Sequence, residues 1–281
     1  MNKNYLKTTI TLICTLIITN AFGQKTEDGL WRVIRSKEIS GEKVRRSSFP
    51  STYNLFQLDL NLLKSKLVNA PVLGSNNPIS LILEFPNSEG NFEQFRVYES
   101  SIMDPILEAK FPMIKTYAAQ GINDPTATMR FSVTQFGLHT MVLSGVKSTN
   151  YIDPYTTDLV NYIVYDKNSL LGSPQTFECL TNENVSLPSL QKNSAGALSV
   201  QNINDQKLRT FRLAQSCTGE YGAIFKGTST VTATQKANVQ AQMTITMNRV
   251  NGVYERDLSI HMNFVANNDL LIYTVASTDP W

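Results

Sequence analysis

The sequence predicts an α+β chain in four consecutive parts: an export signal over residues 1–23, a β-rich segment over 24–167, a linker over 168–207, and an α/β segment over 208–281. Three observations predict it. A basic end and a short apolar run open the chain, period-two alternation dominates the next part, and a polar tract then gives way to one long helical period flanked by strands.

In the opening run, Lys3 and Lys7 precede an uncharged, largely apolar stretch from Thr8 to Ile18 rich in Leu and Ile. The export machinery engages such a segment, with the basic end held on the cytoplasmic side. The run falls short of the roughly 20 apolar residues that a spanning helix needs, so no stable membrane anchor is expected. Ala21-Phe22-Gly23 sets small residues ahead of a cut before Gln24, which predicts a secreted, extracellular protein. Cys14 follows Ile13 in mid-run, away from the cleavage point where a lipidated cysteine sits. Only Cys179 and Cys217 remain after the cut, too few for a small disulfide scaffold, so packing must hold the fold.

Strands follow. Tyr53 to Leu60, Ile79 to Phe85 and Phe92 to Tyr98 alternate apolar and polar residues, as one buried face requires. Pro86-Asn87-Ser88-Glu89-Gly90-Asn91 favours a reversal, so the last two form a hairpin. Further strands are expected at Ala127 to Val133, His139 to Gly145 and Leu159 to Tyr165, and a short helix at Leu60 to Val68 ahead of Pro71. From Asn168 to Lys207 the chain turns to Ser, Asn, Gln, Pro and Gly, the composition of an exposed linker and of a site open to proteolysis. Leu208 to Ala214 then alternates as a strand. Thr234 to Asn251 carries Ala237, Ala241, Thr244, Met247 and Val250 near one helical face, with Asn251-Gly252 as the stop. Strands at Leu258 to Phe264 and Leu270 to Val275 complete a right-handed crossover pattern.

Of the 281 residues 42% are hydrophobic and 17% charged, which excludes disorder. Twenty-five Lys and Arg against 23 Asp and Glu give a net charge of +2, with Lys43, Arg45 and Arg46 the densest basic run, so nucleic acid is not an expected partner.

Two stretches resemble a known family. Leu208-Arg209-Thr210-Phe211-Arg212-Leu213-Ala214, with Val250-Asn251-Gly252-Val253-Tyr254-Glu255-Arg256-Asp257-Leu258-Ser259-Ile260-His261-Met262, resembles the opening of a reprolysin-like (adamalysin-type) metzincin zinc metallopeptidase domain. Upstream, Leu67-Val68-Asn69-Ala70-Pro71 and Phe95-Arg96-Val97-Tyr98-Glu99-Ser100-Ser101-Ile102-Met103-Asp104-Pro105, continuing to Tyr117, resemble the matching pro-domain of precursors exported by gliding, Bacteroidetes-type bacteria. The resemblance implies a pro-domain over 24–167 and the incomplete first part of a catalytic domain over 208–281. It also implies zinc for the full-length parent, with protein or peptide substrates and the chain's own downstream catalytic domain as partners.

The family signature HExxHxxGxxH is absent. In it two His at i and i+4 share a helical face, the Glu polarises the bound water, and the Gly turns the chain toward a third His. This sequence holds two His, His139 and His261, so no catalytic residue or zinc ligand is expected within it. Alternation places both His on the solvent side of their strands.

Cys179 lies in the linker between the two parts, where a thiolate could block a precursor's zinc. A disulfide with Cys217, or pairing beyond residue 281, are the structural alternatives. No G-x-S-x-G elbow accompanies a Ser-His-Asp set, and Gly219, Gly222 and Gly227 fit neither GxGxxG nor a P-loop. Asp153-Pro154-Tyr155 and Asp279-Pro280-Trp281 read as turns, the former too poor in oxygen ligands to mark a calcium site. The competing class is a secreted binding or surface protein with no hydrolytic role.

Overall fold

Alternating apolar residues make the strands, and the need to bury their shared face curls the sheet. The computed structural model describes residues 25–46, 48–76, 79–170 and 206–280. The export signal, the cut before Gln24, Cys179 and most of the linker lie outside the described residues.

In chain order the elements are β1 (Trp31–Val33), β2 (Asn54–Leu58), α1 (Leu60–Leu67), β3 (Leu81–Pro86), β4 (Phe92–Glu99), α2 (Pro105–Lys110), β5 (Lys115–Gly121), β6 (Thr128–Thr134), β7 (Gly137–Leu143), β8 (Asn150–Pro154) and β9 (Asn161–Asp166). Their nine strands form one antiparallel sheet in the order β1-β2-β9-β8-β7-β6-β5-β4-β3. The sheet nearly closes. Glu84 N–H donates to Asp28 Oδ2 at 3.2 Å, Glu27 N–H donates to Glu84 Oε2 at 3.1 Å, and the rings of Trp31 and Phe85 lie 6.3 Å apart. Inside sit Trp31, Phe56, Phe85, Phe95, Phe131 and Tyr162, all fully buried.

The predicted hairpin forms between β3 and β4. Asn87 Oδ1 accepts the N–H groups of Glu89 and Asn91 at 3.0 Å each, and Gly90 takes φ 88°, a value that favours glycine. Helix α1 ends one residue short of the expected Val68. Four of these elements were not legible as regular structure, strands β1, β5 and β8 and helix α2, the last capped by the Asp104 side chain with Pro105 at its first turn.

Residues 206–280 supply β10 (Arg209–Leu213), α3 (Gly219–Phe225), α4 (Thr232–Leu258) and β11 (Ile260–Phe264). β10 and β11 pair in parallel from Arg209↔Ile260 to Leu213↔Phe264, the pairing that a crossover helix predicts. Asn251-Gly252 does not stop α4. The helix runs on to Leu258 and ends at Ser259, φ 55°. Gly252 serves close packing, since a Cβ there would lie 2.9 Å from Met141 Cε and 3.2 Å from Arg130 Cγ. Nor is there a strand at Leu270 to Val275. A single 3-10 turn spans Asn268–Leu271, and Ile272 then makes one bridge to Cys217.

The two parts share a core: Ile102, Met103, Leu107, Phe111 and Ile114 cluster with Val239, Met243, Met247, Phe264 and Ile272. No helix of the described residues is long and apolar enough to cross a membrane.

The α3 glycines have a packing role. A Cβ on Gly222 would stand 1.9 Å from Tyr273 O, and one on Gly219 would stand 2.3 Å from Ala276 N. Backbone cannot yield as a flexible side chain does, so Gly222→Ala is expected to push α3 off the 273–276 segment and cost about 1–3 kcal/mol, read as a lowered thermal midpoint.

Candidate functional site

Helix α4 offers two different faces. Gln240, Thr244 and Asn251 are fully buried toward its own unit: Asn268 Nδ2 donates to Gln240 Oε1 at 3.2 Å, and the Asn251 side chain pairs with both N–H and C=O of Met262 at 2.9 Å each. Asn248, Arg249, Gly252 and Glu255, at i, i+1, i+4 and i+7, face the outside of the sheet. That sheet face is polar and yet buried, carrying Arg130, Ser132 and Thr134. Asn248 Nδ2 donates to Phe131 O at 2.9 Å and to Ser132 Oγ at 3.1 Å. The helix is therefore held to the sheet by directed polar contacts, with apolar packing to one side.

Two charged clusters stand along this seam. In the first, Arg130 on β6 donates Nε to Glu255 Oε2 at 3.0 Å, Nη2 to Glu255 Oε1, and Nη1 to Ser100 Oγ at 2.7 Å. His261 Nδ1 shares Glu255 Oε1, while its Nε2 lies 2.8 Å from Asn263 Oδ1. Burial opposes the charge on Glu255, but the His261 hydrogen bond and the Arg130 guanidinium outweigh it and hold the carboxyl below its usual range. Cavities of about 630 Å3, floored by Ala118, Met141 and Gly252, and about 440 Å3, walled by Ser100, Glu108 and Leu208, flank Arg130.

The second cluster centres on Asp153 of β8, whose side chain is 9% exposed. Arg249 of α4 reaches its Oδ1 at 2.5 Å, Tyr165 of β9 donates its hydroxyl to Oδ2 at 2.7 Å, Arg46 stands at 3.9 Å and His139 Nε2 at 4.0 Å. Arg46 and Arg249 also lie over the rings of Tyr165 and Tyr151, which stack on each other at 5.4 Å. Burial works against the Asp153 charge, yet Arg249, then His139 and Arg46, hold its carboxyl down at about 2. Three segments thus meet on one carboxylate: the strap around Arg46, the sheet, and α4.

These clusters correct three expectations. His261 is 8% exposed and not on the surface, because the helix extends to Leu258 and the strand's other face packs against Arg130 and Glu255 rather than water. His139 lies under α4 with its side chain 15% exposed. Asp153-Pro154 is the end of a strand, and its carboxylate, surrounded by guanidinium groups, suits no calcium ion. Asp279 lies in a bend, but its carboxylate accepts the N–H of Gly219 at 2.5 Å, at the start of α3 and 60 residues away, rather than the local backbone of a turn.

Cys217 is a free, buried thiol among the described residues, and burial pushes its thiol pKa up; Cys179, its expected partner, lies outside them. Among the described residues no group of three or more His, Cys, Asp or Glu is placed to hold a metal ion. Sequence reasoning missed Arg46, Arg130, Asp153, Arg249 and Glu255. The one local signal was a set of polar residues, Asn248, Asn251 and Glu255, inside the period of a helix with apolar neighbours.

The β10–β11 ladder is covered on its β11 edge, and no described strand pairs with its other edge. On the β11 side, Asn251 takes both backbone groups of Met262, Phe264 N–H donates to Ile102 O at 2.8 Å, and Asp104 N–H donates to Phe264 O at 3.0 Å. Opposite, β10 has no further partner among the described strands, and its residues Arg209 to Arg212 are exposed, Phe211 at 51%. No protein-family model, curated protein or solved structure matches this chain.

Proposed function

We propose that residues 25–170 are the pro-domain of a secreted zinc metallopeptidase precursor, and that residues 206–280 are the first part of its catalytic domain. The open edge of β10 carries this reading. Parallel sheets occur with both faces covered, and a two-stranded parallel ladder whose second edge meets no described strand, with Phe211 half-exposed, suits the beginning of a larger α/β sheet. With β11 already capped, that sheet grows only beyond β10.

The pro-domain's part in this reading is to seat an unfinished unit. Its outer face supplies Arg130, Phe131 O and Asp153 to α4, and its Ile102–Asp104 segment completes the edge of β11. Such polar contacts allow two units to separate in water more readily than a wholly apolar interface does.

The two histidines do not fit a zinc site. His261 has both ring nitrogens engaged by Glu255 and Asn263, and His139 stands between two guanidinium groups that repel a cation. The parent's zinc ligands therefore belong to sequence beyond these residues, and no hydrolytic step is assigned to this chain.

Reading the gene past the codon for Trp281 tests the proposal, with an HExxHxxGxxH segment expected in frame or after a frameshift. Its absence, together with a monodisperse purified chain whose β10 edge stays inert, would instead favour a secreted binding protein. Inertness is measurable by sedimentation. In the precursor reading the chain self-associates with rising concentration, and Arg212→Pro stops it. Arg209 N–H points to β11, so by alternation the Arg212 N–H points to the open edge, where proline blocks pairing without disturbing the β10–β11 ladder.

A further inference from the structure

We propose that the junction of Asp153 with Arg46, His139 and Arg249 is an acid-operated latch, in which protonation of His139 frees helix α4 from the sheet. The proposal is independent of the protease reading, which rests on the β10 edge.

The geometry sets the charge count. Facing His139 are Asp153 from β8, Arg249 from α4 and Arg46 from the N-terminal strap, with the backbone of Gly137 beside it. Tyr151 and Tyr165 close the junction as the stacked pair beneath the two guanidinium groups. With His139 neutral, two cations share one carboxylate. Once the imidazole takes a proton, three cations share it, in a junction largely shielded from water. The element that depends most on the Asp153 charge is α4, since Arg249 lies 2.5 Å from Asp153 Oδ1, with Thr140 O at 3.0 Å, whereas Arg46 stands 3.9 Å from Asp153 and is anchored on Pro154 O at 3.0 Å.

The pH window follows. Burial opposes the His139 charge most; Asp153 and the Gly137 backbone favour it, but Arg249 and Arg46 add to burial and hold the imidazole down to about 4. An opened seam returns His139 to its ordinary value near 6.5, so the open form binds more protons between the two values. The latch is therefore at full strength above pH ~6.5 and weakens as pH falls toward about 4. Asp153 stays ionised across that window. The neighbouring cluster holds the other titratable groups on the seam, His261 and Glu255, the latter held below its usual range by His261 and Arg130.

Hydrogen exchange on the full chain, corrected for the pH dependence of intrinsic exchange, tests this. Protection of peptides covering Asn248–Glu255, relative to inner-core β3 and β4, is expected to fall on the order of fifty-fold between about pH 7 and about pH 4.5. His139→Gln should keep the same protection at both pH values. Arg46→Gln, which removes one opposing cation, should shrink the fall. A pH-independent α4 in the wild-type chain overturns the proposal, as does an unchanged fall in both variants, which would assign the acid response to the cluster of His261 and Glu255.

Discussion

Asp153→Ala is expected to destabilise the protein by about 3–5 kcal/mol, because it removes the one anion and leaves the charges of Arg46 and Arg249 buried and uncompensated. Arg249 would keep only the Thr140 carbonyl, and Tyr165 would lose the acceptor of its buried hydroxyl. Urea unfolding followed by far-UV circular dichroism reads the loss as a lowered midpoint at unchanged slope. The double variant Asp153→Ala with Arg249→Met should recover a large part of it, since an apolar pair of similar volume avoids the stranded charge. If the single variant loses under about 1 kcal/mol, the cluster is a screened surface feature and not the buried junction described above.

The sheet was largely legible, and the reason is physical. Period-two burial writes itself into β2, β3, β4, β6, β7 and β9 because each has one face on the aromatic interior. β5 was hidden because Lys115-Thr116-Tyr117-Ala118-Ala119-Gln120 is small and mixed, and α2 because six residues hold too little of a helical period. Asp153-Pro154 was misjudged for a different reason. Asp and Pro together do favour turns, and tertiary pairing with Arg249 and Tyr165 overrode that preference.

The candidate site was less legible than the fold. A polar residue on a strand's outward face looks the same in sequence whether water or a helix covers it, so alternation alone gives Arg130, Ser132 and His139 a solvent-facing place. Only the long-range placement of α4, with Asn248 more than one hundred residues from Phe131, converts that face into an interface. The helix stop at Asn251-Gly252 failed by the same route. Both residues are fixed by partners outside the helix, Asn251 by Met262 and Gly252 by Met141 and Arg130.

Trp31→Ala is expected to cost about 3–5 kcal/mol, and its reach tests how the two parts depend on each other. The indole touches Phe56, Phe85 and Tyr162 at centroid distances of 6.4, 6.3 and 5.8 Å, bridging the two ends of the nearly closed sheet. Its Nε1 is buried without a hydrogen-bond partner, so no acceptor is stranded by the change and the cost is lost packing alone. Loosening the inner face moves β6, whose outward face is the seat of α4, so sheet and helix should lose exchange protection together in one transition. Gly222→Ala acts only on α3 and the 273–276 segment, and should loosen residues 206–280 while the sheet stays protected. In the precursor reading proposed above, this asymmetry is what a template and its client require: the sheet is expected to hold without the helix, and the helix to depend on the sheet. Full protection of α4 in Trp31→Ala, at a urea concentration that has already opened β3 and β4, would show that residues 206–280 stand on their own and would remove the pro-domain's templating role.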